Sequence, residues 1–125
     1  MIHFLCIIFL LFLGDIDSDT DDLQYVAVPL IDNAKCIKNH TFYDSILVTS
    51  NMVCAGNPDV GSCFGDAGGP LVVPDRSDVD LAVLYGLVSW GANPCAQADG
   101  PGVFTRITPF VGFIRGQMKG MMIQV

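Results

Sequence analysis

Short apolar segments separated by turn residues occupy most of this chain, and this pattern limits its fold to a few β architectures. The segments are rich in valine, leucine and aromatic residues, and Gly, Pro, Asn and Asp fill the gaps between them. Strands of this length and spacing favour an antiparallel sandwich or barrel. Five strands are predicted, at Leu23–Leu30, Met52–Ala55, Pro70–Val73, Leu81–Trp90 and Gly102–Ile107.

Composition and charge exclude several classes of function. Of the 125 residues, 51% are hydrophobic and 15% are charged, which is the composition of a globular protein and not of a disordered one. The formal net charge is −7 at pH 7, so nucleic acids and anionic membrane surfaces would repel the protein. A chain of this length forms one domain at most.

Residues 1–14 are predicted to be a secretory signal peptide. The stretch from Met1 to Leu13 is apolar except for His3, and its length suits a signal h-region but is too short to span a membrane. No Lys or Arg precedes the stretch, and Phe12-Leu13-Gly14 is a poor cleavage site. A buried strand and translated non-coding sequence are therefore the alternatives.

Residues 15–22 form an acidic linker after this leader. Its alternating aspartates suggest a calcium loop, but an EF-hand loop that began at Asp15 would need glycine at Thr20 and a bidentate glutamate at Val26. Neither is present. A solvated loop is predicted instead, and we expect no metal and no other cofactor.

Four cysteines beyond the leader indicate an oxidising compartment. Cys6 would leave with the leader, and the remaining even set permits three pairings. No two of them have the CxxC spacing of a zinc site. An Asn39-His40-Thr41 sequon fits a glycosylated surface loop, so the chain is predicted to be secreted. The four residues are Cys36, Cys54, Cys63 and Cys95.

The hydrophobic period changes from strand-like to helical near the C-terminus. Thr108 can cap a helix with its hydroxyl, and Pro109 suits the first helical position. Apolar residues then recur at helical spacing, which predicts an amphipathic helix docked on the barrel. Residues 115–125 are expected to be the end of this helix and a tail.

Five strings of residues, in order along the chain, carry a resemblance to a known family. They are Leu23-Gln24-Tyr25-Val26, Met52-Val53-Cys54-Ala55-Gly56, Cys63-Phe64-Gly65-Asp66-Ala67-Gly68-Gly69-Pro70, Gly86-Leu87-Val88-Ser89-Trp90-Gly91 and Pro101-Gly102-Val103-Phe104-Thr105-Arg106. Together they resemble the second β-barrel of the trypsin-like (chymotrypsin-fold) serine peptidases. The resemblance implies an all-β, antiparallel Greek-key barrel with a C-terminal α-helix over residues 23–114, an incomplete double barrel.

The loop Gly65–Pro70 resembles the nucleophile loop of that family, in which the third residue is the attacking serine. Here it is Ala67, which has no hydroxyl and cannot form an acyl-enzyme. The resemblance implies that the backbone N–H groups of Gly65 and Ala67 form an oxyanion hole, which needs no side chain. It also implies that Asp66 is a buried carboxylate that pairs with an amine released by activation. We find no activation site before this segment, so we predict a loosely ordered loop or a protonated Asp66.

The resemblance also implies a substrate pocket and two disulfides, Cys36–Cys54 and Cys63–Cys95. Gly61 corresponds to the floor of the pocket, and Gly91 and Gly102 to walls that must be small. Because no acidic residue stands at the floor, a large apolar side chain is the expected ligand. The predicted pocket residues are Gly61, Ser62, Ser89, Trp90, Gly91 and Gly102.

The general base and its orienting aspartate lie in the first barrel of this family, and this chain has no counterpart of that barrel. His3 and His40 are its only histidines, and neither lies in a suitable motif. The family's first strand of the second barrel is also missing, and a retained leader could fill that vacant edge. An unfilled edge, and the face that normally packs on the first barrel, would be exposed.

Four functional hypotheses follow from these residues. The first is a secreted, inactive peptidase homologue that binds a protein or peptide partner. The second is a fragment of a chymotrypsin-like endopeptidase without a function of its own. The third, an active endopeptidase, is disfavoured by Ala67, and the fourth, an unrelated disulfide scaffold, would make five ordered matches a coincidence. The sequence does not fix the oligomeric state.

Overall fold

A six-stranded antiparallel barrel forms the body of the protein. The computed structural model describes residues 5–10, 24–39, 48–56, 60–63, 65–74, 82–91 and 100–121. The strands follow the order β1-β2-β3-β6-β5-β4 around the closed barrel. They are β1 (Leu5–Leu10), β2 (Gln24–Ile31), β3 (Met52–Ala55), β4 (Pro70–Pro74), β5 (Ala82–Trp90) and β6 (Gly102–Arg106).

The antiparallel barrel predicted from the sequence is confirmed. All five predicted strands are present, and each begins and ends within a residue of its expected bounds. β1 is the sixth strand, and it pairs with β2 along its whole length and with β4 at Ile7 and Ile8. Leu5–Leu10 thus pairs at the strand position that a retained leader could fill, and the signal peptide stays a prediction. The acidic linker at residues 15–22 lies outside the described part of the chain.

The described core of the barrel consists of buried side chains from β2 to β6. Phe104 lies opposite Val53 of β3 on one side and opposite Val88 of β5 on the other. Because successive side chains of a strand point to opposite faces, these three residues share the interior face. Val28 and Leu71, both fully buried, complete this core from the remaining strands.

A short helix, α1 (Asn33–Asn39), covers the outer face of β3 and β6. Cys54 and Val103 adjoin Val53 and Phe104 in sequence, so they face outward, and Cys36 of α1 packs on them. The Cys36–Cys54 disulfide joins the helix to the strand, with 6.4 Å between the two Cα atoms. This disulfide confirms the predicted pairing. The helix itself was not predicted.

The C-terminal helix forms as predicted, but its predicted docking on the barrel is wrong. A 3₁₀ turn, Thr108–Phe110, leads into α2 (Val111–Met121). The turn begins one residue early, with Ile107 at the N-cap and no side-chain cap, because the Phe110 N–H donates to the Ile107 carbonyl at 2.9 Å. Phe113 is 68% exposed, so the apolar face of α2 has no cover in the described structure. No helix among the described residues is long and apolar enough to cross a membrane.

Candidate functional site

The loop Gly65–Gly69, between Cys63 and β4, is shaped by two glycines with left-handed backbone. Gly65 has φ of 96° and Gly68 has φ of 85°, a region that side-chain-bearing residues rarely adopt. The N–H of Gly69 donates to the carbonyl of Asp66 at 2.8 Å and closes the turn. The glycines of the motif therefore set the path of the backbone on both sides of Asp66 and Ala67.

The second half of this loop is hydrogen-bonded to β5. The Gly68 N–H donates to the Val88 carbonyl, and the Val88 N–H donates to the Gly69 carbonyl, both at 2.9 Å. These two bonds continue the β4–β5 ladder beyond Pro70 and hold Ala67 beside the strand. Within the described residues, the N–H groups of Gly65 and Ala67 make no hydrogen bond. Two exposed residues thus offer these N–H groups beside the Ala67 methyl group, at the position where the resemblance places the nucleophile.

Asp66 is the one buried charged residue in the described part of the chain, with 4% of its surface exposed. Its Oδ2 accepts a hydrogen bond from the Cys63 N–H at 2.7 Å, whereas its buried Oδ1 has no partner among the described residues. Burial raises the pKa of the Asp66 carboxyl, and the Cys63 hydrogen bond opposes this only in part. The environment therefore shifts this carboxyl toward protonation relative to an exposed aspartate, and the loosely ordered loop and the protonated Asp66 both stay predictions.

Replacing Asp66 with asparagine is expected to stabilise the protein at neutral pH by about 1 kcal/mol, because it removes a poorly solvated charge. A carboxyl whose pKa is raised in the folded state contributes full stability below its unfolded pKa and loses it as pH rises through the folded pKa. The difference in the free energy of unfolding between Asp66→Asn and wild type should therefore increase from pH 3.8 upward. Urea unfolding of both proteins across this range measures it.

Asp32→Asn is the matched control, since it removes a carboxylate at an exposed position and keeps a side chain that can cap α1. It reports the effect of the change in net charge together with the small effect of replacing a carboxylate by an amide at the N-terminus of α1. A gain for Asp66→Asn that shrinks as pH rises, or a loss of stability at pH 7, would contradict the assignment.

Three of the predicted pocket residues lie together beside the loop. A Cβ built on Gly102 would lie 3.1 Å from the Ser62 Oγ, and one built on Gly91 would lie 3.6 Å from the Gly102 Cα. A Cβ built on Gly61 would meet nothing within 4 Å. Ser62, Gly91 and Gly102 therefore lie close to one another, and a side chain at Gly61 would point into open space.

The two other predicted pocket residues, Ser89 and Trp90, lie at an irregularity in β5. Val88 pairs with Phe104 and Trp90 pairs with Val103, so Ser89 is an extra residue in the strand. Bulges of this kind redirect a strand and are frequent next to functional sites. Ser89 is exposed, and the Trp90 side chain packs against the cluster around Cys54 and Val103 instead of the space beside Gly102.

Phe104 explains why position 102 is a glycine, and the sequence reasoning missed this contact. The Cε2 atom of Phe104 lies 3.1 Å from a Cβ built on Gly102, so a side chain there would press on this fully buried ring. The signal was available, because residues two apart in a strand share a face.

The remaining predicted residues lie at the border of the described structure or outside it. Cys63 is disulfide-bonded, and its predicted partner Cys95 lies outside the described residues. Asn39 is the last residue of α1, and the rest of the sequon lies outside the described residues, as do both histidines. Glycosylation and the Cys63–Cys95 pairing remain predictions.

A family model for trypsin matches residues 13–114. The chain is 41% identical over 101 residues to urokinase-type plasminogen activator of Gallus gallus, covering 79% of this chain and 22% of that protein. It is 40% identical to the submandibular glandular kallikrein-3 of Rattus norvegicus, covering 79% of this chain and 48% of that protein. Kallikrein 1-related peptidase b11 of Mus musculus is 39% identical, with coverage of 78% and 34%.

The fold and the site together define a class of protein. Its members have an antiparallel barrel with a loop that resembles the nucleophile loop of serine peptidases. The chain belongs to the trypsin family. It spans between about a fifth and a half of the length of these relatives. β1 lies before the matched region, so the strand that closes this barrel comes from outside the family's sequence pattern.

Proposed function

We propose that this protein is a catalytically inactive member of the trypsin family that binds a peptide or protein segment without cleaving it. The observation that carries the proposal is Ala67, which stands where the family has its attacking serine. Peptide hydrolysis through an acyl-enzyme needs a nucleophilic oxygen at this point, and a methyl group cannot supply it. The free N–H groups of Gly65 and Ala67 can still bind a carbonyl oxygen.

The pocket geometry supports a large apolar side chain as the part of the ligand that is bound. A Cβ built on Gly61 would meet nothing within 4 Å, and Gly91 has no side chain to narrow the space. Gly61, at the predicted floor, has no carboxylate, so among the described pocket residues a basic side chain would find no ion partner. A peptide with an aromatic or leucine residue in the pocket is the proposed ligand class.

Secretion is part of the same proposal. A buried disulfide such as Cys36–Cys54 persists in oxidising compartments. We expect the partner to be extracellular.

Restoring the serine alone is expected to give no measurable peptidase activity. Ala67→Ser supplies the oxygen, but no histidine of this chain lies in a motif that would make it a general base. Without the triad, catalysis by an oxyanion hole and binding alone reaches at most about 10³–10⁴-fold over water. Initial rates on a chromogenic peptide with phenylalanine before the scissile bond measure this, with Ala67→Gly as the matched control.

Activity in Ala67→Ser and not in Ala67→Gly would overturn the assignment of inactivity. Binding is measured separately, by titrating the wild-type protein with a fluorescent peptide that carries the same phenylalanine. Saturable binding lost on exchange of phenylalanine for lysine is expected. Equal affinity for the two peptides would overturn the apolar pocket.

The chain spans less than half of each of these relatives, and this favours a second candidate. In this second proposal the chain is a piece of a longer chymotrypsin-like serine endopeptidase homologue. The intact mass of the natural protein, with and without reductant, separates the two. A mass near 13.4 kDa, or that mass less a leader, identifies a stand-alone protein. A much larger mass identifies a two-barrel protein, in which a first barrel would supply the histidine and aspartate.

A further inference from the structure

A cavity of about 740 Å³ lies at one end of the barrel, away from the nucleophile loop. Its volume is in the range of small-molecule sites, which is about 300–1,000 Å³. Leu30, Ile31, Val48 and Val53 give it apolar walls, and two charged residues, Asp32 and Arg106, border it. Nothing in the proposed peptide-binding site uses these residues.

Arg106 enters the cavity wall as a half-buried cation with neutral partners. Its Nε and Nη2 donate to the Met52 carbonyl at 3.2 and 2.9 Å, and its Nη1 donates to the Tyr85 hydroxyl at 3.3 Å. The guanidinium carbon lies 5.9 Å from the centre of the Tyr85 ring. In the described part of the chain, none of these partners carries a charge. Buried cations are ordinarily paired with an anion, because partial burial removes water that would otherwise stabilise them.

The guanidinium also has hydrogen-bonding capacity that the protein does not use. Three of its five N–H groups have partners. The Met52 carbonyl also receives a bond from the Asn33 Nδ2 at 3.0 Å, so three donors share an oxygen with two lone pairs. The Met52 carbonyl therefore receives more donors than it has lone pairs. The guanidinium can stay bonded to Met52 while its unused N–H groups bind a further acceptor.

Asp32 limits what that acceptor can be. Its Oδ1 accepts hydrogen bonds from the Ala34 N–H at 3.0 Å and the Lys35 N–H at 3.4 Å, which fixes a carboxylate at the cavity margin. At the same distance, this carboxylate would repel a doubly charged ligand such as phosphate about twice as strongly as a singly charged one. A ligand with one carboxylate and an apolar body fits this cavity, because the carboxylate can pair with the guanidinium and the body can pack against the four aliphatic side chains.

We propose that this cavity binds a monocarboxylate with an apolar body, with Arg106 as the group that binds the carboxylate. Such a carboxylate belongs either to a free organic acid or to the C-terminus of a peptide that ends in an apolar residue. In both cases the apolar part lies against the aliphatic walls, and the negative charge completes the pairing of the half-buried guanidinium.

Hexanoate and its neutral counterpart hexanol are the probes for the whole, oxidised chain, with binding followed by calorimetry or by NMR shifts. Saturable binding of hexanoate, with hexanol at least tenfold weaker, is expected. Arg106→Lys keeps the charge but loses the planar fork, so it should weaken hexanoate binding at least tenfold. Arg115→Lys, on exposed α2, is the matched control and should leave the affinity unchanged.

Equal affinity for hexanoate and hexanol, no binding of either, or an equal effect of the two arginine substitutions would overturn the proposal. The comparison of the two probes on wild type decides the question even if Arg106→Lys fails to fold. N-acetyl-leucine, as a mimic of a peptide C-terminus, identifies the source. Tighter binding than hexanoate assigns the site to peptide termini, and weaker binding assigns it to free acids.

Discussion

Replacing Phe104 with alanine is expected to lower the free energy of unfolding by about 3–5 kcal/mol, the cost typical of a buried phenylalanine. Phe104 is fully buried and lies between Val53 and Val88, so its loss leaves a cavity that spans three strands. A small domain has only about 5–15 kcal/mol of stability in total. Urea unfolding followed by far-UV circular dichroism measures the change.

Phe113→Ala is the matched control, because it makes the same chemical change at a side chain that is 68% exposed. A change within about 0.5 kcal/mol is expected there. If Phe104→Ala does not fold, Phe104→Leu provides a smaller loss in the same direction. Equal effects of the alanine substitutions at the two sites would contradict the placement of the core.

Removing the Cys36–Cys54 disulfide is expected to lower the stability by about 3 kcal/mol, since the bond closes a loop with a sequence separation of 18. The physical consequence should concentrate on α1. A helix of seven residues is too short to be stable alone, and the disulfide holds it against β3. The double variant Cys36→Ala/Cys54→Ala, unfolded in urea without reductant, measures the loss.

Val48→Ala separates crosslinking from packing. Val48 is buried in the same cluster as the two cysteines, so its truncation removes contacts and leaves the disulfide intact. Reductant should destabilise Val48→Ala more than the double variant, which has already lost this bond. A double variant as stable as wild type would show that the disulfide contributes nothing to folding.

The strands were predictable because their signals are local. Apolar runs such as Met52–Ala55 and Gly102–Arg106 lie between Gly, Pro and Asn residues, and these turn residues fix their ends in any fold. The trypsin-like motif strings then gave the barrel architecture, which no single run could give. The disulfide between Cys36 and Cys54 followed from the same resemblance.

The short helix α1 was missed because its sequence has no apolar period. Its one local signal is Asp32, whose Oδ1 accepts from the N–H groups of Ala34 and Lys35 as an N-cap. Tertiary contacts, and Cys36 above all, hold the helix in place. An N-cap alone is a weak predictor when the segment that follows has only seven residues.

The two ends of the chain show different limits of sequence reasoning. A signal h-region and a buried strand are both short apolar runs, so composition could not decide between them for Leu5–Leu10. For α2, the helical period predicted an apolar face but carried no information on what covers it. In the described structure, Phe113 and Met118 of that face are exposed.

The residues of the loop were readable from the sequence, but its backbone was not. The left-handed conformation of Gly65 and Gly68 is a finding of the structure, and the position of Ala67 at the nucleophile stays a prediction. The cavity beside Arg106 was not predictable, since its walls come from strands and loops far apart in sequence. Spatial convergence of this kind leaves no pattern in a single chain.

The residues of β1 can serve either as a strand of the barrel or as part of a cleaved export signal, but not as both. As a strand, Leu5–Leu10 joins β2 to β4 and closes the barrel. As a cleaved leader, the same segment would be discarded, and the sheet would remain open between those two strands. Processing of the N-terminus and closure of the barrel are therefore mutually exclusive outcomes, and the first residue of the mature protein identifies which one occurs.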